Sequence, residues 1–348
     1  MPNCTTLIGI DISKYSFELW GVDERGHQTL HKRLHRDNLI LFFSNFPQCT
    51  VAIESCSGSQ YWARQLKQLG HDVILIPAQH VVAFRQGPKN DRNDAAAIAE
   101  AARRPRLRPV PVKSLQQQDM QTLHRVRERL IQQRTSLISE IRGLLLEYGI
   151  VCTRGINHFL RWLKTDFTHQ VQSLSPMAQE TFLALRDEFQ QLEERLDKVD
   201  RRIKEIFKSH PVCRQLATVP GVGPLIATAL IATALIASVT DPQRFKNGRQ
   251  FAAYLGLVPR QHTTGGKPKL LGISKVGNRY LRMLLIHGAR SIIFHHRDKQ
   301  DPRSKWVRKL VERRGWHKAN VALANKNARV LWRLLTTPGA EFKQELGG

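Results

Sequence analysis

Four acidic residues occupy positions that chemistry explains more simply than folding does. Asp11 lies inside an apolar run, 7–12, within Gly9-Ile10-Asp11-Ile12-Ser13-Lys14. A bare carboxylate in a core strand is strongly unfavourable unless it is paired or metal-bound. Glu54 ends the apolar run Val51-Ala52-Ile53, and Asp91 and Asp94 sit three apart in Lys89-Asn90-Asp91-Arg92-Asn93-Asp94. Carboxylates at strand ends and on one helical turn suit a pair of Mg²⁺ (or Mn²⁺) ions working on phosphate esters.

Positioning these acids falls to an alternation of strands and helices over residues 1–104. Segments 5–12, 16–22 and 27–34 read as an antiparallel meander, with Asp23-Glu24-Arg25-Gly26 as one turn. A short helix over 39–46 follows, then a buried strand over 49–54. A helix over 60–69 comes next, with Gly70 as its C-cap, and then a strand over 72–77. The last helix spans 93–103, capped by Asn93 or Asn90. The order β-β-β-α-β-α-β-α is that of an α/β RNase H-like domain. In that fold a first-strand Asp and a fourth-strand acid end close together, and a late helix adds the rest.

Residues 105–210 read as a linker and a long helical hairpin. The basic, proline-rich stretch 104–114 is either a linker or an arm on nucleic acid. Leu123, Val126, Leu130, Leu137, Ile141, Leu144 and Tyr148 keep a 3/4 spacing that Arg134 interrupts. Phe182, Leu185, Phe189, Leu192, Leu196, Val199, Ile203 and Ile206 keep it without a break. Such a seam predicts a coiled-coil hairpin, packed on itself or against a second copy of the chain. The connection over 152–176 is less regular.

Residues 211–348 form a mostly α-helical third region. Val219-Pro220-Gly221-Val222-Gly223-Pro224 resembles a helix-hairpin-helix turn, whose glycines Gly221 and Gly223 let backbone N–H groups approach a phosphate. A five-residue repeat then fills 225–239 and predicts a helix apolar on all sides and buried. Arg260, Lys267 and Lys275 sit among glycines and hydroxyls over 259–278, either as phosphate contacts or on a mobile surface loop. Residues 279–335 are helical and basic, beginning with Arg279 and Arg282. Trp306, Trp316 and Trp332 are interleaved, as base-stacking platforms or as core.

Composition agrees with a polyanionic partner. Lys and Arg number 54 against 29 acids in 348 residues, a formal charge of +25. That excess predicts nucleic acid rather than an ordinary metabolite as partner. The five cysteines contain no Cys-x-x-Cys pair, which speaks against a zinc site or disulfide framework and for a reducing cytoplasm; with a nucleic-acid partner, a cytoplasmic, nucleoid-associated protein is expected. No signal peptide stands at the N-terminus, and the longest apolar stretch, 225–239, is too short to span a bilayer, so no membrane partner is expected.

Taken together, three N-terminal motifs resemble the catalytic set of the DEDD-type bacterial insertion-sequence transposases. They are Gly9-Ile10-Asp11-Ile12-Ser13-Lys14, Ala52-Ile53-Glu54-Ser55 and Lys89-Asn90-Asp91-Arg92-Asn93-Asp94-Ala95. The turn 219–224, Gly256-Leu257-Val258-Pro259-Arg260-Gln261-His262 and Gly272-Ile273-Ser274-Lys275 are similar to the C-terminal transposase domain of that family. The resemblance implies that Asp11, Glu54, Asp91 and Asp94 bind divalent metal and that DNA is cut and rejoined through junction-like intermediates. It also implies an element-encoded guide RNA that pairs with donor and target DNA, and a homo-oligomer, dimer or tetramer. The family's serine nucleophile corresponds to Thr264 here, preceded by Thr263, and the extra repeat copy within 225–239 is a second departure. Two alternatives remain: a resolvase-like, structure-specific nuclease in which metal-activated water attacks, and an inactive nucleic-acid-binding relative.

Overall fold

The computed structural model describes residues 4–105, 107–233, 245–295, 299–337 and 339–342. The described residues divide into two compact units, the first built mainly from residues up to Gln116 and the second from Gln117–Thr233 and from Asn247 onward. The first is a mixed α/β sheet unit, and the second is mostly helical. Among the described residues no helix is long and apolar enough to cross a membrane.

Five strands form the sheet of the first unit: β1 (Leu7–Ile12), β2 (Ser16–Val22), β3 (Gln28–His35), β4 (Thr50–Glu54) and β5 (Asp72–Ile76), in the order β3-β2-β1-β4-β5. β1, β2 and β3 pair antiparallel, as the meander predicts, while β4 runs parallel to both β1 and β5. Helices α1 (Leu39–Ser44) and α2 (Ser59–Gln68) cover one face. There Ile8, Ile10, Phe17 and Leu19 pack against Leu39, Phe43, Trp62 and Leu66. The opposite face receives α4 (Asp91–Ala102), which follows the short α3 (Ala78–Val81). On that face Ala97, Ile98 and Ala101 pack with Ala52 and Ile76, and Ala99 packs with Leu7 and Val22.

Alternation along β1 decides where Asp11 points. Ile8 and Ile10 belong to the α1/α2 core, so Leu7, Gly9 and Asp11 face α4. The helix comes unusually close there. A Cβ on Gly9 would lie 2.4 Å from the Ala95 carbonyl oxygen and 2.6 Å from the Ala99 nitrogen. Glycine on the strand and alanines on the helix thus let two backbones touch.

The stretch after α4 is only partly the free linker or arm that its prolines suggest. Val110 bridges the β5 edge, its N–H donating to the Leu75 carbonyl at 2.7 Å. Gln60 grips the same segment, donating to the Pro111 carbonyl and accepting from the Lys113 N–H.

In the second unit α5 (Leu115–Leu146) and α8 (Pro176–Ser209) pack along their apolar seams, with α6 (Ile156–Thr165) and α7 (Phe167–Gln172) between them in sequence. Arg127 pairs with Asp200, and Arg134 pairs with Glu193 at 2.9 Å. Seven residues forward on α5 match seven backward on α8, so the two helices run antiparallel. The break that Arg134 makes in the α5 seam is therefore an ion pair to the facing helix. The connection 152–176, irregular in the sequence pattern, folds into α6 and α7 around Phe159, Trp162 and Phe167.

The remaining elements are α9 (Pro211–Leu216), α10 (Pro224–Ala232), α11 (Gly248–Tyr254), a ribbon of β6 (Pro259–Thr264) and β7 (Lys267–Ile273), α12 (Arg279–His295), α13 (Pro302–Arg314) and α14 (Trp316–Thr336). Residues 226–232 of α10 are all buried, as its all-round apolar pattern predicts. The repeat beyond Thr233 lies outside the described residues.

Candidate active site

The four acids come from three elements, and the fold brings them together. Ile10 of β1 pairs with Ile53 of the parallel β4, so the next residues, Asp11 and Glu54, lie side by side near the ends of neighbouring strands. Adjacent strands lie about 4.8 Å apart. Asp91 opens α4 and Asp94 completes its first turn. Ala95, the residue after Asp94, rests on Gly9, two residues before Asp11. The close backbone approach at Gly9 is therefore what sets Asp94 beside Asp11.

The start of α4 is fixed locally. Asn90 is the N-cap, accepting from the Asn93 N–H at 2.8 Å, and Asn93 donates from its amide to the Pro88 carbonyl at 2.8 Å. Carboxylates on a first helical turn also face the positive end of the helix dipole. This cap resolves the choice between Asn90 and Asn93 and starts the helix two residues before 93.

Electrostatics record the convergence. Burial pushes the Asp11 carboxyl up to about 6, and the charges of Asp94, Asp91 and Glu54 add to that rise. Glu54 is also raised, first by burial and then by Asp94, against the opposing pull of Lys89 and Arg85. Arg85 reaches Asp94 with Nη1 3.4 Å from Oδ1. Among the described residues, no three Asp, Glu, His or Cys side chains form a group that could by itself hold a metal ion. The donor chemistry still fits a hard divalent cation. All four groups are carboxylates whose charges repel one another, and Mg²⁺ is usually held by one or two carboxylates with waters and substrate phosphates completing its shell.

Thr264 has a different setting. It is the last residue of β6 and is exposed, facing Lys267 across a two-residue Gly265-Gly266 turn. Both glycines have positive φ, 57° and 75°, as a tight hairpin turn of this kind requires. Within the loop expected over 259–278, residues 259–273 form a two-stranded antiparallel ribbon. Thr264 Oγ1 lies 3.5 Å from Nδ1 of His262, two residues back on the same face.

A transposase family model, the DEDD type of IS110, matches residues 8–150, and one described as the transposase IS116/IS110/IS902 family matches residues 213–305. A probable family 20 transposase of Pseudomonas aeruginosa is 45% identical over 94% of this chain and 96% of its own length. This chain belongs to the IS110/IS116 family of transposases. The transposase of insertion sequence element IS1111A from Coxiella burnetii is 42% identical over 95% of this chain and 89% of its own. That of IS1328 from Yersinia enterocolitica is 38% identical over 99% and 100%.

Further residues expected to meet nucleic acid divide into two groups in this transposase. Arg260 and Lys267 are exposed on the ribbon, and Lys275 and Arg279 are exposed just after it. Lys275 has φ 56°, the one positive value at a non-glycine among the described residues. Arg282 requires a correction. It is buried, and its Nη1 donates to the carbonyls of Leu255 at 3.1 Å and Val276 at 2.8 Å. A buried guanidinium held by two backbone carbonyls ties the end of α11 to the loop before α12 and is not a surface cation. Gly221 also differs from expectation. A Cβ there would lie 2.6 Å from the Gly288 carbonyl oxygen, so its missing side chain serves contact with α12. The Cβ position of Gly223, the N-cap of α10, opens onto free space and leaves that glycine approachable.

The sequence pattern alone did not single out Arg85, Gly9, Gly288 or His262. Arg85 and Gly9 acquire their roles from contacts with α4, which no local spacing announces. His262 was legible as the residue two before Thr264, since alternate residues of a strand share a face.

Proposed function

We propose that this transposase is a divalent-metal-dependent DNA strand-transfer enzyme with its chemistry divided between a carboxylate centre and a threonine. The observation that carries this reading is the convergence of Asp11, Glu54, Asp91 and Asp94, in which burial first, and then the charges of Asp94, Asp91 and Glu54, push the Asp11 carboxyl up to about 6. The strand order β3-β2-β1-β4-β5 supports an RNase H-like domain over the first unit. The antiparallel α5/α8 packing supports a coiled-coil hairpin.

Bound Mg²⁺ or Mn²⁺ would supply Lewis-acid stabilisation of the charge that builds on a phosphate in the transition state. Asp11 and Glu54, at the ends of buried strands, and Asp91 and Asp94, on a capped turn, hold the metal-binding oxygens in place. Thr264 Oγ attacks phosphorus, its proton passing to His262 Nδ1, and the sugar oxygen of the cut strand leaves. A protein–DNA phosphodiester results, and reversal onto a second strand end completes joining. The Thr264 β-methyl restricts χ1 and crowds this attack relative to serine. Arg260, Lys267, Lys275 and Arg279, with the open backbone at Gly223, contact phosphates. An element-encoded guide RNA supplies sequence recognition by pairing with donor and target DNA, and the +25 charge suits a protein that carries both nucleic acids. The active form is a dimer or tetramer associated with the nucleoid.

A resolvase-like hydrolysis by metal-activated water is the second reading. It is favoured by one feature: the carboxylates are positioned by buried elements, whereas Thr264 is exposed on a ribbon. A denaturing gel separates the two. Purified protein, Mg²⁺, RNA transcribed from the element's flank and labelled junction DNA are incubated with wild type, Asp11→Ala, Thr264→Ala and Thr264→Ser. Strand transfer predicts a protein-linked DNA band that is absent from Asp11→Ala and Thr264→Ala and stronger in Thr264→Ser. Cut DNA without a linked band, unchanged in Thr264→Ala, supports hydrolysis. DNA binding with neither product means an inactive relative.

A further inference from the structure

The carboxylate centre has a cation of its own. Arg85 follows a short turn of 3₁₀ helix over 82–84, at the head of the loop that leads to the cap of α4. Its ion pair with Asp94 is the only one made by any of the four acids among the described residues. Both partners are largely withdrawn from solvent, with side-chain exposures of 29% for Arg85 and 16% for Asp94. Arg85 also acts on Glu54, as does Lys89 on the same loop.

The contact is loose. One Nη1 lies 3.4 Å from one oxygen, far from the two short parallel bonds of a locked guanidinium–carboxylate pair. A guanidinium carries five N–H donors in a planar fork. Among the described residues Arg85 uses one of them. A cation that is held near four carboxylates yet poorly engaged is in a position to be displaced, and its fork matches phosphate oxygens. Charge points the same way. Four carboxylates with Arg85 and Lys89 leave a net charge of about −2 in the simplest count, so divalent ions and the guanidinium compete for the same oxygens.

We propose that Arg85 is the resident counter-ion of the carboxylate centre: it shields Asp94 when metal is absent, yields the carboxylate to the incoming metal, and then donates to the DNA phosphate held there. This rests on the metal-binding reading given above. Arg85 thereby couples metal entry to DNA entry, because the guanidinium released from Asp94 by metal is the one that phosphate engages. Metal bound without DNA is opposed by Arg85, and metal bound with DNA is not.

Full-length protein is titrated with Mn²⁺ and free ion is followed by electron paramagnetic resonance, with and without junction DNA, for wild type, Arg85→Gln, Arg85→Lys and Asp11→Asn. Thermal melts check that each variant folds. Without DNA, Arg85→Gln binds Mn²⁺ more tightly than wild type by on the order of fivefold, while Arg85→Lys stays near wild type. With DNA, wild type gains Mn²⁺ affinity and Arg85→Gln gains less. Junction DNA, measured in Ca²⁺ by fluorescence anisotropy, binds Arg85→Gln more weakly by on the order of tenfold. Mn²⁺ affinity in Arg85→Gln equal to or below that of wild type would overturn the proposal and leave Arg85 as a tether between its loop and α4. Unchanged DNA affinity would overturn the phosphate contact. Failure of wild type to bind Mn²⁺, or equal binding by Asp11→Asn, would instead remove the metal reading on which the proposal rests.

Discussion

The acids and the threonine of this transposase are positioned by opposite means. Asp11 and Glu54 lie near the ends of strands in which the preceding residues, Ile10 and Ile53, are 1% and 0% exposed, and Asp91 and Asp94 ride on a helix pressed backbone to backbone against β1. Thr264 sits on a ribbon in which every residue of β6 is exposed and only Ile273 of β7 is partly covered. An isolated two-stranded ribbon is marginally stable in water. The contrast separates a site whose carboxylates folding brings together from a presented one, whose geometry depends on what it binds. Metal binding should therefore be a property of the protein itself, and threonine attack a property of the assembled complex.

The largest effect expected is at Asp11. Asp11→Asn should lower strand transfer by at least about a hundredfold, the scale on which one electrostatic contributor to a phosphoryl transition state is missed. It should also weaken Mn²⁺ binding, measured by titration, while the protein stays folded. Thr264→Ala should abolish the protein-linked DNA band yet leave Mn²⁺ affinity at the wild-type value. A Thr264→Ala protein with impaired metal binding would blur the contrast between the two sites.

Gly9→Ala comes next. The added Cβ meets backbone atoms of Ala95 and Ala99, which cannot give way as a flexible side chain can. A loss of roughly 1–3 kcal/mol in urea unfolding is expected, the usual cost of overpacking, with reduced strand transfer because α4 carries Asp91 and Asp94 away from Asp11. On the ribbon, Leu270→Ala should change stability by less than about 0.5 kcal/mol, since Leu270 is 68% exposed.

pH separates the two regions as well. The Asp11 carboxyl is raised from 3.8 to about 6, so between those values the folded protein holds a proton that the unfolded chain has released. Stability of the metal-free protein should therefore fall as pH rises through that window, and the cost is fully present above about 6. Thermal melts across the window should show a shallower fall in Asp11→Asn, and in wild type with excess Mg²⁺. The smallest effect is at Lys267. Lys267→Ala should reduce the slope of log DNA affinity against log salt by about one, without a change in Mn²⁺ binding.

Much of the carboxylate centre was legible in the sequence because its residues break local rules. A charge in an apolar run at Asp11, an acid ending the run at Glu54 and an i, i+3 pair at Asp91 and Asp94 each stand out without a structure. The succession of strands and helices and the antiparallel meander were legible as well, since apolar runs and turn residues alternate clearly over 5–77. What could not be read were features created by contact between distant segments. Arg282 resembles the other cations of a basic helix until Leu255 and Val276 enclose it. Gly221 has the look of a phosphate turn until Gly288 fills the space beside it. The ribbon over 259–273 lacks the apolar alternation of a strand because neither face is buried. Its Gly265-Gly266 pair was the available signal.

The most direct test of the central claim, that the carboxylates bring metal to the phosphate being cut, is a metal-specificity switch. Junction DNA is prepared with sulfur replacing one non-bridging oxygen at the cleaved phosphate, and strand transfer is measured in Mg²⁺ and in Mn²⁺. Sulfur binds Mg²⁺ poorly and tolerates Mn²⁺ better, as ligand softness dictates. The account predicts that one of the two sulfur diastereomers reacts slowly in Mg²⁺, recovers in Mn²⁺, and shows no recovery with Asp11→Asn. Equal rates in both metals for both diastereomers, with oxygen-containing DNA still processed, would contradict direct metal contact with that phosphate.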